Sequence, residues 1–330
     1  MLKFIRSFVF KKRCQWLCIF VWILPSISMA QNYPLRPITI VVPFTPGGGT
    51  DFMARVYADQ LTKLLGQPVL VDNRPGAGGT LGTDYVARAE PNGYTLLMGS
   101  VSTISINPSM YKTMVSNPLK DFSPISLVGT TPSIITVPVA FPAENLQQLI
   151  ALAKAKPNSV NFGSAGVGTS HHLAGELLKT QANIDIVHIP YKGSSDALTG
   201  LIRGDVQILI ANIPSLAPAI ESKQIKPLAV TSNARTALLP KLPTAIESGL
   251  NDFSINIWYA IFAPANTPSF VIQRLNQAIR TVSEMQDVKQ KLSGDGAEAI
   301  SSSPQELRLR MNSDFDKWAE IVKKSRARVD

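Results

Sequence analysis

An α/β fold of two lobes follows from two features of this sequence. Short β-branched runs alternate with segments of helical periodicity along most of the chain, and two long extended stretches, Ser123 to Pro138 and Ser254 to Pro264, interrupt that alternation. Size supports the same reading, because 330 residues, 45% of them apolar, suffice to bury two cores of ordinary domain dimensions. Repeated strand–helix–strand units imply a parallel sheet with helices on both faces. The extended stretches read as crossovers, the first leaving lobe one and the second returning to it. Two such connections make a hinge, and the cleft between hinged lobes is where a ligand binds.

The first lobe opens with the apolar run Ile38 to Phe44, a glycine-rich loop over Thr45 to Thr50, and an amphipathic helix from Asp51 to Leu65. A second strand follows at Val69 to Val71, a second helix from Leu81 to Ala89 and a third strand from Tyr94 to Met98. In the second lobe, strands are expected near Val160 to Phe162, Ile186 to Ile189, Val206 to Ile210 and Leu228 to Val230, with helices beginning near Thr169, Ser194 and Pro214. The segment from Pro268 to Asp330 is mainly helical and is expected to pack back on lobe one. The organisation is therefore lobe one over 31–130, lobe two over 131–253 and the return of lobe one over 254–330.

Residues 1–30 stand apart. Lys3, Arg6, Lys11, Lys12 and Arg13 precede an apolar run from Cys14 to Leu24, and small residues end in Ser28-Met29-Ala30. This is the pattern of a secretory signal peptide with cleavage after Ala30. The apolar run is shorter than the ~20 residues that cross a bilayer, and Pro25 interrupts it. Cleavage leaves 27 basic against 23 acidic residues, a net charge of +4, which gives no case for nucleic acid binding. Both cysteines, Cys14 and Cys18, lie in the signal, so the mature chain has no disulfide and no thiol chemistry. Cys18 follows Gln15-Trp16-Leu17, not the small residues of a lipid-attachment site.

Three glycine-rich segments carry the chemistry. In the first, Gly47-Gly48-Gly49 stands between the Val41-Val42-Pro43-Phe44 run and the helix that Thr50 and Asp51 open. Glycines let the backbone approach a ligand, and free N–H groups at a helix start favour an anion. The same residues also suit a tight turn with Thr50 or Asp51 as the helix cap. Neither the Gly-x-Gly-x-x-Gly spacing of dinucleotide sites nor a Walker lysine is present. The second segment, Asn73-Arg74-Pro75-Gly76-Ala77-Gly78-Gly79, either faces the cleft or merely turns. The third, Gly163-Ser164-Ala165-Gly166-Val167-Gly168-Thr169-Ser170, lies in the other lobe, where it can aim amides and hydroxyls at the opposite end of a ligand.

A hydrolase reading competes, since Ser164, Ser170, His171 and His172 are close in sequence. There is no Gly-x-Ser-x-Gly elbow, and neighbouring Ser and His at one helix start do not converge as a triad does. His171 and His172 read as structural or helix-lining residues. With only His188 besides, they form no zinc spacing, so neither metal nor cofactor is expected. Tyr191 and Asn212 end lobe-two strands where they can wall the cleft, and Lys192 reads as solvated.

These segments together resemble the tripartite tricarboxylate transporter receptors, the Bug or TctC-like family of periplasmic binding proteins. The likeness runs from Tyr33-Pro34-Leu35-Arg36-Pro37-Ile38 through VVPFTPGGGTD, GQPVLVDNRPGAGGTLG, PNGYTLLMGS, INPSMY, GSAGVGTSHHLAGELL and PYKGSSDAL to Trp258 and Ala263-Pro264. It implies a type II periplasmic-binding-protein fold, with mixed or parallel sheets flanked by helices, that closes on a small mono- or dicarboxylate. In such proteins backbone groups and ordered waters hold a carboxylate, which carries over here to Phe44, Pro46, Gly47, Gly48 and Gly49. Ser100 and Ser102 add hydroxyls, lobe two adds Ser164, Ala165 and Thr169, and Tyr191 and Asn212 complete the implied set.

Where relatives often read Gly-Gln-Val-Asp and then a further Asp, this chain has Gly204-Asp205-Val206-Gln207 and Ala211. The loss of an acidic partner for an ammonium group favours a non-amino carboxylate. The implied role is a monomeric, non-enzymatic periplasmic receptor whose partner is a membrane permease or a sensor protein.

Overall fold

The computed structural model describes residues 33–111, 114–251 and 253–325, and these belong to one compact unit beginning at Tyr33. The expected signal peptide and its cleavage point after Ala30 lie outside the described residues.

The first lobe begins with β1 (Ile38–Val42), α1 (Gly49–Leu65), β2 (Val69–Asn73), α2 (Thr80–Ala87) and β3 (Thr95–Ser100). After a widened helical turn over Ser102–Ile106 come α3 (Asn107–Met110), α4 (Pro118–Asp121) and the long strand β4 (Phe122–Pro138). The second lobe contains α5 (Leu146–Ala155), β5 (Asn161–Ser164), α6 (Ser170–Ala182), β6 (Val187–Pro190), α7 (Ser194–Arg203), β7 (Ile208–Asn212), α8 (Ile213–Glu221) and β8 (Ile225–Val230). The chain returns along β9 (Asn256–Pro264) and ends in α9 (Ser269–Glu284), α10 (Gln286–Gly294), the short β10 (Glu298–Ala299) and α11 (Pro304–Ser325).

Each βα unit reflects local sequence. Four of the five β1 residues are buried, as befits a strand covered on both faces, and β1 pairs in parallel with β2 and β3. On α1 the positions Met53, Val56, Tyr57, Leu61 and Leu65 recur at helical spacing and face the core. Gly66 ends that helix in the left-handed region, its N–H returning to the Thr62 carbonyl. Helix α1 starts at Gly49, two residues before the apolar periodicity, because glycine enters the first turn without any side-chain signal.

The parallel arrangement expected from the alternation holds only in part. β5 is parallel to β6 and β7, but β4 and β9 run antiparallel to each other and to their other partners. One strand carries the chain out and the other carries it back, so they must oppose. β4 pairs with β9 over Phe122 to Pro132 and with β7 and β8 over Ser133 to Pro138, passing from the sheet of one lobe into that of the other. Its ladder with β9 slips next to Pro124, which has no N–H to contribute.

The C-terminal helices dock on lobe one. The Trp258 indole N–H donates to Asp314 at 2.6 Å, and the Arg308 guanidinium donates to the carbonyls of Leu119 and Phe122 at 2.7 Å. A second apolar cluster, including Leu201, Val206, Leu209, Ile213 and Leu216, fills one side of lobe two. Among the described residues no helix is long and apolar enough to cross a membrane.

Candidate ligand-binding site

The lobes meet through their glycine-rich turns. The Ser195 hydroxyl donates to the Pro46 carbonyl at 2.7 Å, the Ser170 amide to Ser102 Oγ at 3.0 Å, and the Tyr111 hydroxyl to the Val167 carbonyl at 2.7 Å. The second glycine loop faces the cleft. A Cβ on Gly78 would lie 2.1 Å from the Val167 carbonyl oxygen, so this contact brings backbone against backbone. Between these contacts lies a small cavity walled by both lobes and by β9.

Four helices point their N-termini into this cavity. Gly48, Gly49 and Thr50 belong to the start of α1, Thr169, Ser170 and His171 to α6, Ser194 to α7, and Asn212 to α8. Each helix end carries roughly half a positive charge, and no Asp, Glu, Lys or Arg lines the wall. The result is a positive field made from backbone dipoles and neutral hydroxyls. It suits an anion and gives an ammonium group no counter-charge.

Helix α1 is shaped for close contact. Gly48 precedes it in extended conformation without any side-chain cap, which leaves first-turn amides for another acceptor. A Cβ at Gly49 would come within 2.3 Å of Asn212 Nδ2 and 2.7 Å of the Tyr259 hydroxyl, so only glycine lets the turn approach lobe two and the hinge. Gly47, at φ +79°, makes the left-handed bend before it.

Asp51 holds this bend. Its carboxylate accepts from the Gly47 amide, from Arg55 Nε and from Asn73 Nδ2, each at 2.9 Å, and Asn73 Nδ2 also donates to the Phe44 carbonyl. Burial by itself raises this carboxyl, but the hydrogen bonds from Arg55, Gly47 and Asn73 outweigh it and keep Asp51 below the ordinary carboxylate range. Asp51 of the first motif and Asn73 at the start of the second are thus halves of one brace.

The lobe-two turn is braced by neutral groups. Ser164 Oγ contacts His188 Nε2 at 2.7 Å and accepts from the Gly166 amide at 3.1 Å, while the Thr169 hydroxyl donates to the Gly166 carbonyl at 2.7 Å. Thr169 also caps α6 at the His172 amide. Behind the turn the rings of His172 and His188 stack at 4.1 Å, with Phe162 stacked 4.7 Å from His188. Burial pushes His171 and His172 down to about 4 and His188 to about 3, with Lys179 adding to the shift at the last two and His172 at His188. All three are neutral near pH 7.

Asn212 caps α8 through Oδ1 and donates from Nδ2 to the Tyr259 hydroxyl at 2.9 Å. Tyr259 therefore accepts from Asn212 and keeps its own proton to donate. Burial raises its hydroxyl above the ordinary phenol value, so it stays protonated.

Of the residues singled out from the sequence, Phe44, Gly48, Gly49, Ser100, Ser102, Ala165, Thr169 and Asn212 line the cavity. Pro46, Gly47, Ser164 and Tyr191 do not. Pro46 and Gly47 form the outer part of the bend, with the carbonyl of one and the amide of the other engaged by Ser195 and Asp51. The Ser164 hydroxyl is held by His188, and Tyr191 packs against Gly200 at the edge of the lobe-two core. Ser170 and His171, first read as hydrolase candidates or structural residues, line the wall, as do Thr50, Ser194, Ile257 and Tyr259. Ile257 and Tyr259 sit on an apolar strand whose pattern reads as core, and only pairing of Tyr259 with Ser100 reveals their place.

No serine in the cavity is hydrogen-bonded to a histidine among the described residues. Ser170 pairs with Ser102, both His171 ring nitrogens are without a partner, and the Ser164–His188 contact lies behind the wall. No cluster of three or more His, Cys, Asp or Glu that could hold a metal occurs among the described residues.

Two α/β lobes joined by β4 and β9, with a helix-end cavity between them, define a periplasmic solute-binding protein. The tripartite tricarboxylate transporter family receptor model matches residues 53–326, and the chain belongs to this family. Bordetella pertussis BugT is 36% identical over 301 residues, covering 91% of this chain and 92% of the relative. Among solved structures, R. palustris Rpa4515 with adipate has a TM-score of 0.88 at 33% identity, covering 90% of this chain and 100% of that one. MatC from Rhodopseudomonas palustris with bound malate has a TM-score of 0.84 at 30% identity, covering 88% and 100%.

Proposed function

We propose that this protein binds a small organic mono- or dicarboxylate in the cavity between its lobes, without turning it over, and delivers it to a tripartite tricarboxylate-type membrane permease. The observation that carries this reading is the convergence of four helix N-termini on a wall with no charged side chain. The carboxylate sits on the uncapped first turn of α1, at Gly48, Gly49 and Thr50. Ser100, Ser102, Thr169, Asn212 and Tyr259 supply hydroxyl and amide partners. A ligand that contacts both lobes favours their closed arrangement, and the permease recognises that arrangement. The adipate and malate held by the two solved relatives support the ligand class.

Export through the signal peptide places the protein in the periplasm, where it acts as a monomer. An amino acid is disfavoured, because no wall carboxylate is present to pair with its ammonium group.

A thermal-shift screen against organic acids, amino acids and sugars tests this function. Binding to the native state adds about 2.7 kcal/mol of stability at a hundredfold excess over Kd. Stabilisation by carboxylates is expected, and stabilisation by sugars or amines alone would overturn the assignment.

A further inference from the structure

His171 stands out within the cavity. It occupies the first turn of α6, is 4% exposed, lines the wall, and has no hydrogen-bond partner on either Nδ1 or Nε2 among the described residues. A buried polar atom left unpaired costs about 1–3 kcal/mol, and each such group in a native structure calls for an explanation. Other polar groups around it each have at least one partner within the protein: Ser102 with Ser170, Thr169 with Gly166, and Asn212 with Tyr259. The imidazole is thus an unmatched donor–acceptor pair facing the ligand's space.

Resting on the carboxylate-receptor reading above, we propose that His171 is a specificity-determining residue that hydrogen-bonds a hydroxyl the ligand carries in addition to its carboxylate. The helix ends supply what an anion needs, but they do not distinguish one acid from another. The imidazole does, because it offers one N–H and one lone pair, and a hydroxyl pairs with whichever nitrogen faces it. A second carboxylate is a poorer match, since it only accepts and draws a proton onto the ring. Four positive helix ends oppose that proton, and the wall holds no Asp or Glu to favour it, Tyr259 being the one other titratable side chain there.

The test is calorimetric titration of the wild-type protein, His171→Phe and His171→Asn with matched pairs: lactate and propionate, malate and succinate, 2-hydroxyglutarate and glutarate. In at least one pair the wild type is expected to bind the hydroxy acid about tenfold or more tightly, as unmet hydrogen bonds discriminate strongly. Phenylalanine removes that preference; asparagine, which still donates and accepts, keeps part of it. The preference is unchanged between about pH 6 and about pH 8, because the ring stays neutral.

Carboxylate binding without any hydroxyl preference, or a preference that survives His171→Phe, overturns the inference while the receptor function stands. An affinity for both acids of a pair that falls about tenfold per pH unit also overturns it, by showing that the charged ring contacts a carboxylate. Absence of carboxylate binding altogether overturns the receptor function itself. Thermal unfolding of each variant confirms that the protein titrated is folded.

Discussion

The two turns that face each other across the cleft are built alike and held differently. In lobe one the bend before α1 is fixed by a charged brace in which Asp51 gathers Gly47, Arg55 and Asn73, and the helix end has no side-chain cap. In lobe two the turn before α6 is fixed by Ser164, His188 and the Thr169 cap, all uncharged near neutral pH. The first arrangement frees backbone amides for a ligand. The second engages its own hydroxyls and leaves an imidazole to make the distinction.

The largest effect is expected at Gly49. Gly49→Ala places a methyl within 2.3 Å of Asn212 Nδ2. Overpacking of this kind costs about 1–3 kcal/mol, and here it also separates the α1 turn from the ligand. Titration with any carboxylate that binds the wild type is expected to show affinity lowered by at least about a hundredfold, with the protein still folded. Retained affinity would mean that the α1 turn is not the anion site.

Removing the charge of the brace comes next. Asp51→Asn weakens three hydrogen bonds to a carboxylate, each worth about 1.5–3 kcal/mol, so a loss of about 2 kcal/mol or more in denaturant unfolding is expected, together with weaker ligand binding. A variant as stable as wild type would show that the brace does not hold the bend.

The two braces also part company in acid. The three histidines are depressed in the folded state from about 6.5, so the unfolded chain binds their protons first. Their contribution is fully present above about pH 6.5 and is lost as pH falls toward about 4, at up to about 1.4 kcal/mol per histidine per pH unit. Asp51 is depressed in the same sense, but in a lower window: its contribution persists above the ordinary carboxylate pKa of about 3.9 and is lost only below it. Urea unfolding across this range should therefore show a decline between about pH 6.5 and about pH 4 that is shallower in His188→Gln. An unchanged slope in the variant would contradict the assignment to the lobe-two cluster.

The smallest effect belongs to the Thr169 cap. Thr169→Ala removes the acceptor for the His172 amide and the contact with Gly166, for which about 1 kcal/mol of stability is expected in the same assay.

How far the site was legible differs between the same two turns. Glycines between a buried strand and a helix mark the first turn directly, since Gly47 needs a left-handed backbone and Gly49 has no room for a side chain. The brace was not legible, because Asp51 and Asn73 lie on different strand–helix units and meet only after β1 and β2 pair. In lobe two, Ser164 and Ala165 are adjacent in sequence, but only Ala165 reaches the cavity, while Ser164 turns toward His188. Tyr259 and Ile257 lie on β9, which is almost wholly buried, so their pattern looks like any core strand until the second lobe is in place. His171 faces the cavity while its neighbour His172 stacks on His188 behind the turn, a distinction set by the helix's rotation and invisible to spacing. The fold itself was the more readable part, since βα alternation and the two long extended stretches are local signals.

A crystal structure of the complex with the tightest-binding carboxylate of the screen shows directly which helix ends hold the ligand. A carboxylate oxygen is expected to accept hydrogen bonds from the first-turn amides of α1 at Gly49 and Thr50, with groups of α6, α7 or α8 contacting the same molecule. A ligand bound elsewhere, for instance in the apolar groove beside Leu238, Leu239 and Leu242, with the helix ends left to water, would contradict it.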